Sequence, residues 1–203
     1  IDLESSSNNQ PLFTINQHLD NPVVVRIGNQ SCNDGTLNSS ISFSDDDCGQ
    51  SNPTVNAYWG DNPLYFYDNN WHILTLSVGD TFHQLFIDGE PINLVYTIGN
   101  QNTGNFLWRD NTNYFRLGQR WIDSSPDYPD DVQFFEGILD NLVLSVIFLY
   151  PYEIESSINS GFNGENDIIA YYKFNAGTGD TLYDHSGNGN HGTINGASWA
   201  GCT

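Results

Sequence analysis

Two groups of residues have the types and spacing to do chemistry, and a lone acid is read with the first. The first is Asp184-His185-Ser186-Gly187-Asn188-Gly189-Asn190. This compact Gly/Asn turn offers a carboxylate and several carbonyl oxygens, the ligands that a hard cation such as calcium takes. The lone acid is Asp140, inside the apolar run Ile138-Leu139-Asp140-Asn141-Leu142-Val143-Leu144. An acid buried in such a run requires a cation or several hydrogen-bond donors. The plainer alternative is an Asx turn at Asp184 and a backbone cap at Asp140. The second group lies in residues 119–133, QRWIDSSPDYPDDVQ, where Asp123, Asp127, Asp130 and Asp131 are interleaved with Trp121, Tyr128 and two prolines. Aromatic rings offer flat apolar faces on which sugar rings stack, and acids or amides beside them bind hydroxyl groups directly or through calcium. Trp108 and Asn111, with Tyr58, Trp59 and Arg109, extend this set. The alternative for each ring is a place in the core, and for the acids a solvated surface.

Catalytic patterns are missing from the sequence. A glycosidase needs two carboxylates held about 5 to 9.5 Å apart. The glutamates here are Glu4, Glu90, Glu136, Glu153, Glu155 and Glu165, and none falls in a Glu-x-Asp-x-x-Glu strand. Gly-x-Ser-x-Gly, His-Glu-x-x-His, a phosphate-binding loop and a dinucleotide fingerprint are likewise absent. The five histidines, His18, His72, His83, His185 and His191, are too scattered to read as a zinc set. The expectation is a binding module, not an enzyme.

Charge narrows the partners. The 203 residues carry 25 Asp and Glu against 5 Lys and Arg, a formal charge of -20. Such a surface repels phosphate backbones and anionic headgroups, so nucleic acid and membrane insertion are poor readings. No apolar run approaches the length of a membrane span, and no basic segment with a short apolar stretch opens the chain. A soluble, secreted or cell-surface chain without its signal peptide is expected. Cys32 and Cys48 flank NDGTLNSSISFSDDD, as expected of a hairpin closed by a disulfide, which would contribute about 3 kcal/mol through the unfolded state. Cys202 has no evident partner and suits the start of a following module or a fusion boundary. Asn29-Gln30-Ser31 and Asn38-Ser39-Ser40 are glycosylation sequons.

The elements that must position these residues read as strands. In Trp71 to Asn93, the residues Ile73, Leu74, Leu76 and Val78 mark one strand and Gln84 to Ile87 a second. Asp88-Gly89 supplies a tight turn, and a third strand over Ile92 to Ile98 folds back. Further strands are expected at Leu12 to Ile15, Val23 to Ile27, Val55 to Trp59, Leu64 to Tyr67, Phe106 to Trp108, Tyr114 to Leu117, Gly137 to Leu144, Ile168 to Phe174 and Gly192 to Ile194. Pro151 to Asn159 is the single helical signal. The fold class is all-β, one antiparallel sandwich over residues 1–203. Its interior is expected to include Trp71, Leu74, Leu76, Phe86, Ile138, Leu142 and Tyr172.

Several of these stretches carry a resemblance. WHILTLSV followed by LFIDGEPIN, then FRLGQ, then FFEGILDNLVLSVIFLYPYEI, resembles the second half of a laminin-G-like, concanavalin-A-like jelly roll of the pentraxin and laminin-G superfamily. The tail IIAYYKFNAGTGDTLYDHSGNGNHGTINGASW, residues 168–199, resembles the opening of the same domain. Together the matches cover more than half the chain. The order departs from the family, because the opening strand stands after the closing one. A circular permutant explains this, as does one module followed by the first strand of the next. Permutation is the expectation, since an orphan apolar strand would be exposed and prone to aggregate, and it places Ile168 to Phe174 beside Gly137 to Val146. The resemblance implies a structural calcium site built from Asp140 and Asp184, with the Asn188 to His191 turn and Asn175 completing the shell. It also implies a lectin-like, calcium-stabilised module that binds a glycan or glycoprotein within a larger extracellular protein. The alternative is a structural or adhesive module of a filament or matrix, whose partners are neighbouring copies.

Overall fold

A computed structural model describes residues 2–3, 10–17, 23–29, 39–44, 56–59, 70–78, 83–100, 102, 112–118, 134–146, 152–153, 156 and 167–201. Among these residues the regular structure is antiparallel strand, and helical conformation occurs only at 152–153 and 156.

The largest sheet has the order β10-β2-β3-β4-β5-β9. Its strands are β2 (Gln10–Gln17), β3 (Val23–Asn29), β4 (Ser39–Ser44), β5 (Asn56–Trp59), β9 (Val95–Ile98) and β10 (Thr112–Leu117). β-Branched residues dominate β3, and Phe13 stacks on Phe115 across the β2–β10 pair with centroids 5.6 Å apart. Such diagonal aromatic contacts are a unit of sheet stabilisation. The segment between Cys32 and Cys48 contributes β4, which pairs with β3 on one side and β5 on the other. β4 is therefore an inner strand of this sheet; the rest of the expected hairpin with its two cysteines lies outside the described residues, as do the strands expected at Leu64 to Tyr67 and Phe106 to Trp108.

The expected meander forms from β6 (Leu74–Val78), β7 (His83–Ile87) and β8 (Glu90–Ile92). Asp88 and Gly89 both adopt positive φ, 50° and 86°, as a two-residue hairpin turn requires. Asp88 is fixed twice more, accepting the Ile73 N–H at 2.8 Å and meeting His72 Nδ1 at 2.7 Å. The third strand is shorter than expected: β8 stops at Ile92, and Val95–Ile98 crosses to the edge of the six-stranded sheet as β9, beside β5. A hydrogen bond of 2.7 Å between His83 Nε2 and the Tyr96 hydroxyl ties the two sheets together.

The interior differs from expectation in its facing. β7 alternates with His83, Leu85 and Ile87 buried, the last two at 0% and 1% exposure, while Phe86 is half-buried. Trp71 is 55% exposed and does not belong to the core. Leu74, Leu76, Ile138 and Leu142 are half-buried, and Tyr172 is buried.

The run expected as one buried strand over Gly137 to Leu144 divides into β11 (Gly137–Ile138), which pairs with β1 (Asp2–Leu3), and β12 (Leu142–Ser145). Asn141, at φ 51°, makes the break. β12 pairs with β13 (Ile168–Tyr172) in the register Leu142 to Tyr172 and Leu144 to Ala170. The expected partnership between these regions is therefore present. β13 is buried at every residue except Ile169, with Ile168 and Tyr171 packed against Val143. A short hairpin of β14 (Thr181–Leu182) and β15 (Gly192–Thr193) follows, and an antiparallel bridge from Asp184 to Tyr172 covers the second edge of β13.

Candidate functional site

Asp184 is the centre of the first candidate site. It is buried, 8% exposed, at the start of the Gly/Asn turn. Its Oδ1 accepts the Tyr171 N–H at 2.9 Å and the Ser186 N–H at 2.8 Å. Its Oδ2 accepts the Ser186 hydroxyl at 2.8 Å and the Asn190 N–H at 2.9 Å. Burial alone pushes this carboxyl up, but the four donors outweigh it and hold the group down at about 2, from 3.8.

The turn is then latched to β13 by side-chain donors. Asn188 Nδ2 reaches the Ile168 carbonyl at 2.6 Å and the Ile169 carbonyl at 3.2 Å. Asn190 Nδ2 donates to Ile169 O at 2.8 Å, and the Ser186 hydroxyl reaches the same carbonyl at 3.3 Å. From β13, the Tyr172 hydroxyl donates to Asn190 O at 2.5 Å. His191 Nδ1 accepts the Asp184 N–H at 3.0 Å, which leaves the ring proton on Nε2.

Asp140 lies elsewhere. It occupies the break between β11 and β12, is exposed, and accepts the Asn141 N–H at 2.9 Å, the local cap that was the plainer reading. The Tyr171 hydroxyl donates to Asn141 Oδ1 at 3.1 Å. Burial, and then the Asp140 carboxylate, pushes the Tyr171 phenol up. An exposed acid needs no counter-ion. Leu142 and Asp184 flank Tyr172 on its two sides, so their backbones are about 10 Å apart at ordinary strand spacing. Asn175 is exposed and takes no part in the hydrogen bonds of Asp184.

These observations bear on a cation. A carboxylate has about four acceptor positions, and four donors meet Asp184. The carbonyls of Ile168 and Ile169 already receive amide donors. No group of three or more His, Cys, Asp or Glu among the described residues is arranged to hold a metal. In this arrangement Asp184, Asn188 and His191 are held by hydrogen bonds within the turn and to β13, and Asp140 and Asn175 are exposed.

The second candidate site is defined by its base. Gly118 follows β10 at φ 72°, a conformation that suits glycine. Its N–H donates to Leu12 O at 2.8 Å, and its carbonyl accepts the Phe135 N–H at 2.8 Å. Gly118 and Phe135, 17 positions apart in the sequence, are thus hydrogen-bonded neighbours at the edge strand β10. Trp121, Asp123, Asp127, Tyr128, Asp130 and Asp131 fall between these two residues and lie outside the described residues, as do Trp108 and Asn111. Thr112 and Leu117 bound β10, so the segment ahead of the strand joins it about 20 Å from Gly118. The two candidate loops are thus attached at opposite ends of one strand.

Sequence reasoning missed the Tyr171 N–H and the Tyr172 hydroxyl as partners of the turn. The Asp-x-Ser spacing was the available signal for a local turn, whereas backbone donors leave no mark in side-chain type. Compared with protein-family models, curated proteins and solved structures, the chain gives no significant match. No helix among the described residues is long and apolar enough to cross a membrane.

Proposed function

We propose that the chain is a carbohydrate- or glycoprotein-binding module of a larger secreted or cell-surface protein, with residues 119–133 and the neighbouring segment 108–113 as its recognition rim. The observation that supports this most is the hydrogen-bonded base at Gly118 and Phe135. A loop anchored at one point of a sheet edge can vary its interior without disturbing the strands, which is how binding residues are usually carried. Trp121 and Tyr128 would supply stacking faces, and the neighbouring acids would bind sugar hydroxyls. In this proposal calcium is bound by the carboxylates of Asp123, Asp127, Asp130 and Asp131. Binding without catalysis is proposed, since the pattern of acids offers no paired acid and nucleophile.

The finer architecture proposed is a circularly permuted jelly roll. The pairing of β12 with β13, which places the tail beside the strand ahead of it, supports that reading. A Cys32–Cys48 bridge suits the same extracellular setting.

Wild type, Trp121→Ala and Tyr128→Ala should be compared on a glycan array in millimolar calcium and in EDTA. The proposal expects wild type to bind, each variant to lose most binding with little change in melting temperature, and EDTA to weaken wild type. A wild type that binds no glycan in calcium would replace this reading with the structural or adhesive one.

A further inference from the structure

We infer that Asn188-Gly189 is a deamidation site restrained by the fold, and that conversion there unlatches the tail from β13. Glycine after asparagine leaves the following amide nitrogen unshielded, and a Cβ placed on Gly189 would meet nothing within 4 Å. In the reaction, Gly189 N forms a bond to Asn188 Cγ as the Cγ–Nδ2 bond breaks. Nδ2 departs as ammonia carrying the proton from Gly189, and the cyclic imide then takes up water to give aspartate or isoaspartate. The leaving nitrogen is the atom tied to the Ile168 and Ile169 carbonyls at 2.6 and 3.2 Å. Because both partners are carbonyls, only the NH2 end of the amide can face them. While these bonds hold, the amide cannot turn for attack.

Conversion reverses the chemistry of the latch. A carboxylate at 188 has no proton to donate and turns an acceptor toward two acceptors. It also adds negative charge to the turn that holds Asp184, on a chain already at -20. Isoaspartate further lengthens the backbone just before Asn190, whose N–H binds Asp184 Oδ2 and whose amide binds Ile169 O. The second edge of β13 would lose its covering.

The chain contains its own control. Asn195-Gly196 has the same dipeptide, with Asn195 exposed and no neighbour within 4 Å of a Cβ on Gly196. Samples held at mildly alkaline pH, folded and in urea, can be followed by peptide mass mapping. Asn195 should convert at similar rates in both. Asn188 should match it in urea and convert roughly tenfold or more slowly in the folded chain, where opening must come first. Equal rates at the two sites in the folded protein would overturn the restraint. Asn188→Asp should speed hydrogen exchange at the Tyr171, Ser186 and Asn190 amides more than Asn188→Ala does. Equal or smaller acceleration would overturn the proposed consequence.

Discussion

A buried carboxylate met by four donors behaves differently from a solvated acid. Asp184 has a folded value of about 2 against 3.8, so the folded state binds its proton more weakly than the unfolded state. Its contribution is complete above about pH 4 and is lost as pH falls from there to about 2, on the order of 1–2 kcal/mol once nearby solvent is allowed for. Asp184→Asn should lower stability by about 2 kcal/mol at neutral pH. Urea melts at pH 5, 3 and 2 should show that the variant has lost part of the wild-type acid dependence; an unchanged acid profile would remove Asp184 from this role. Tyr172 supplies the opposite slope. Burial, then the Asp184 carboxylate, pushes its phenol up, so its contribution holds below about pH 10 and fades as pH rises through the higher folded value. Tyr172→Phe should cost about 1 kcal/mol by leaving the Asn190 carbonyl without its donor, measurable in the same melts.

At the scale of elements, the facing of β7 makes the sharpest prediction. Leu85→Ala and Ile87→Ala should each cost about 2–5 kcal/mol, because the groups removed are fully buried. Trp71→Ala should change stability by roughly 0.5 kcal/mol or less, since the ring is exposed. Chemical denaturation of the three variants checks both, and a large Trp71 effect would contradict the facing. The hairpin itself was legible, because Asp88-Gly89 can only be a turn and the flanking residues alternate. Which face pointed inward was not. His-Gln-Leu-Phe-Ile has apolar residues at both parities, and the inward set includes a histidine that polarity alone assigns to solvent. The β12–β13 partnership was legible through the resemblance of the tail. The break at Asn141 was not, since positive φ in a non-glycine residue has only a weak sequence signature. Gly118→Ala should strain the base of the acidic loop by about 1 kcal/mol. It should weaken glycan binding more than it lowers the melting temperature.

The whole molecule combines a dense strand framework with a charge of -20. Like charges at this density oppose the compact state, so added salt should raise the melting temperature across the range in which the Debye length falls below about 10 Å. The tail turn, closed by protein donors, should melt independently of calcium, while any calcium response should disappear when Asp123, Asp127, Asp130 and Asp131 are replaced together by Asn. The recognition loop is the central claim, and amide NMR shift mapping with a glycan identified on the array tests it most directly. Gly118, Phe135 and the amides between them should move on titration, with Ser186 to His191 unchanged. Shifts concentrated at the tail turn, or none in the loop at saturating glycan, would contradict the account.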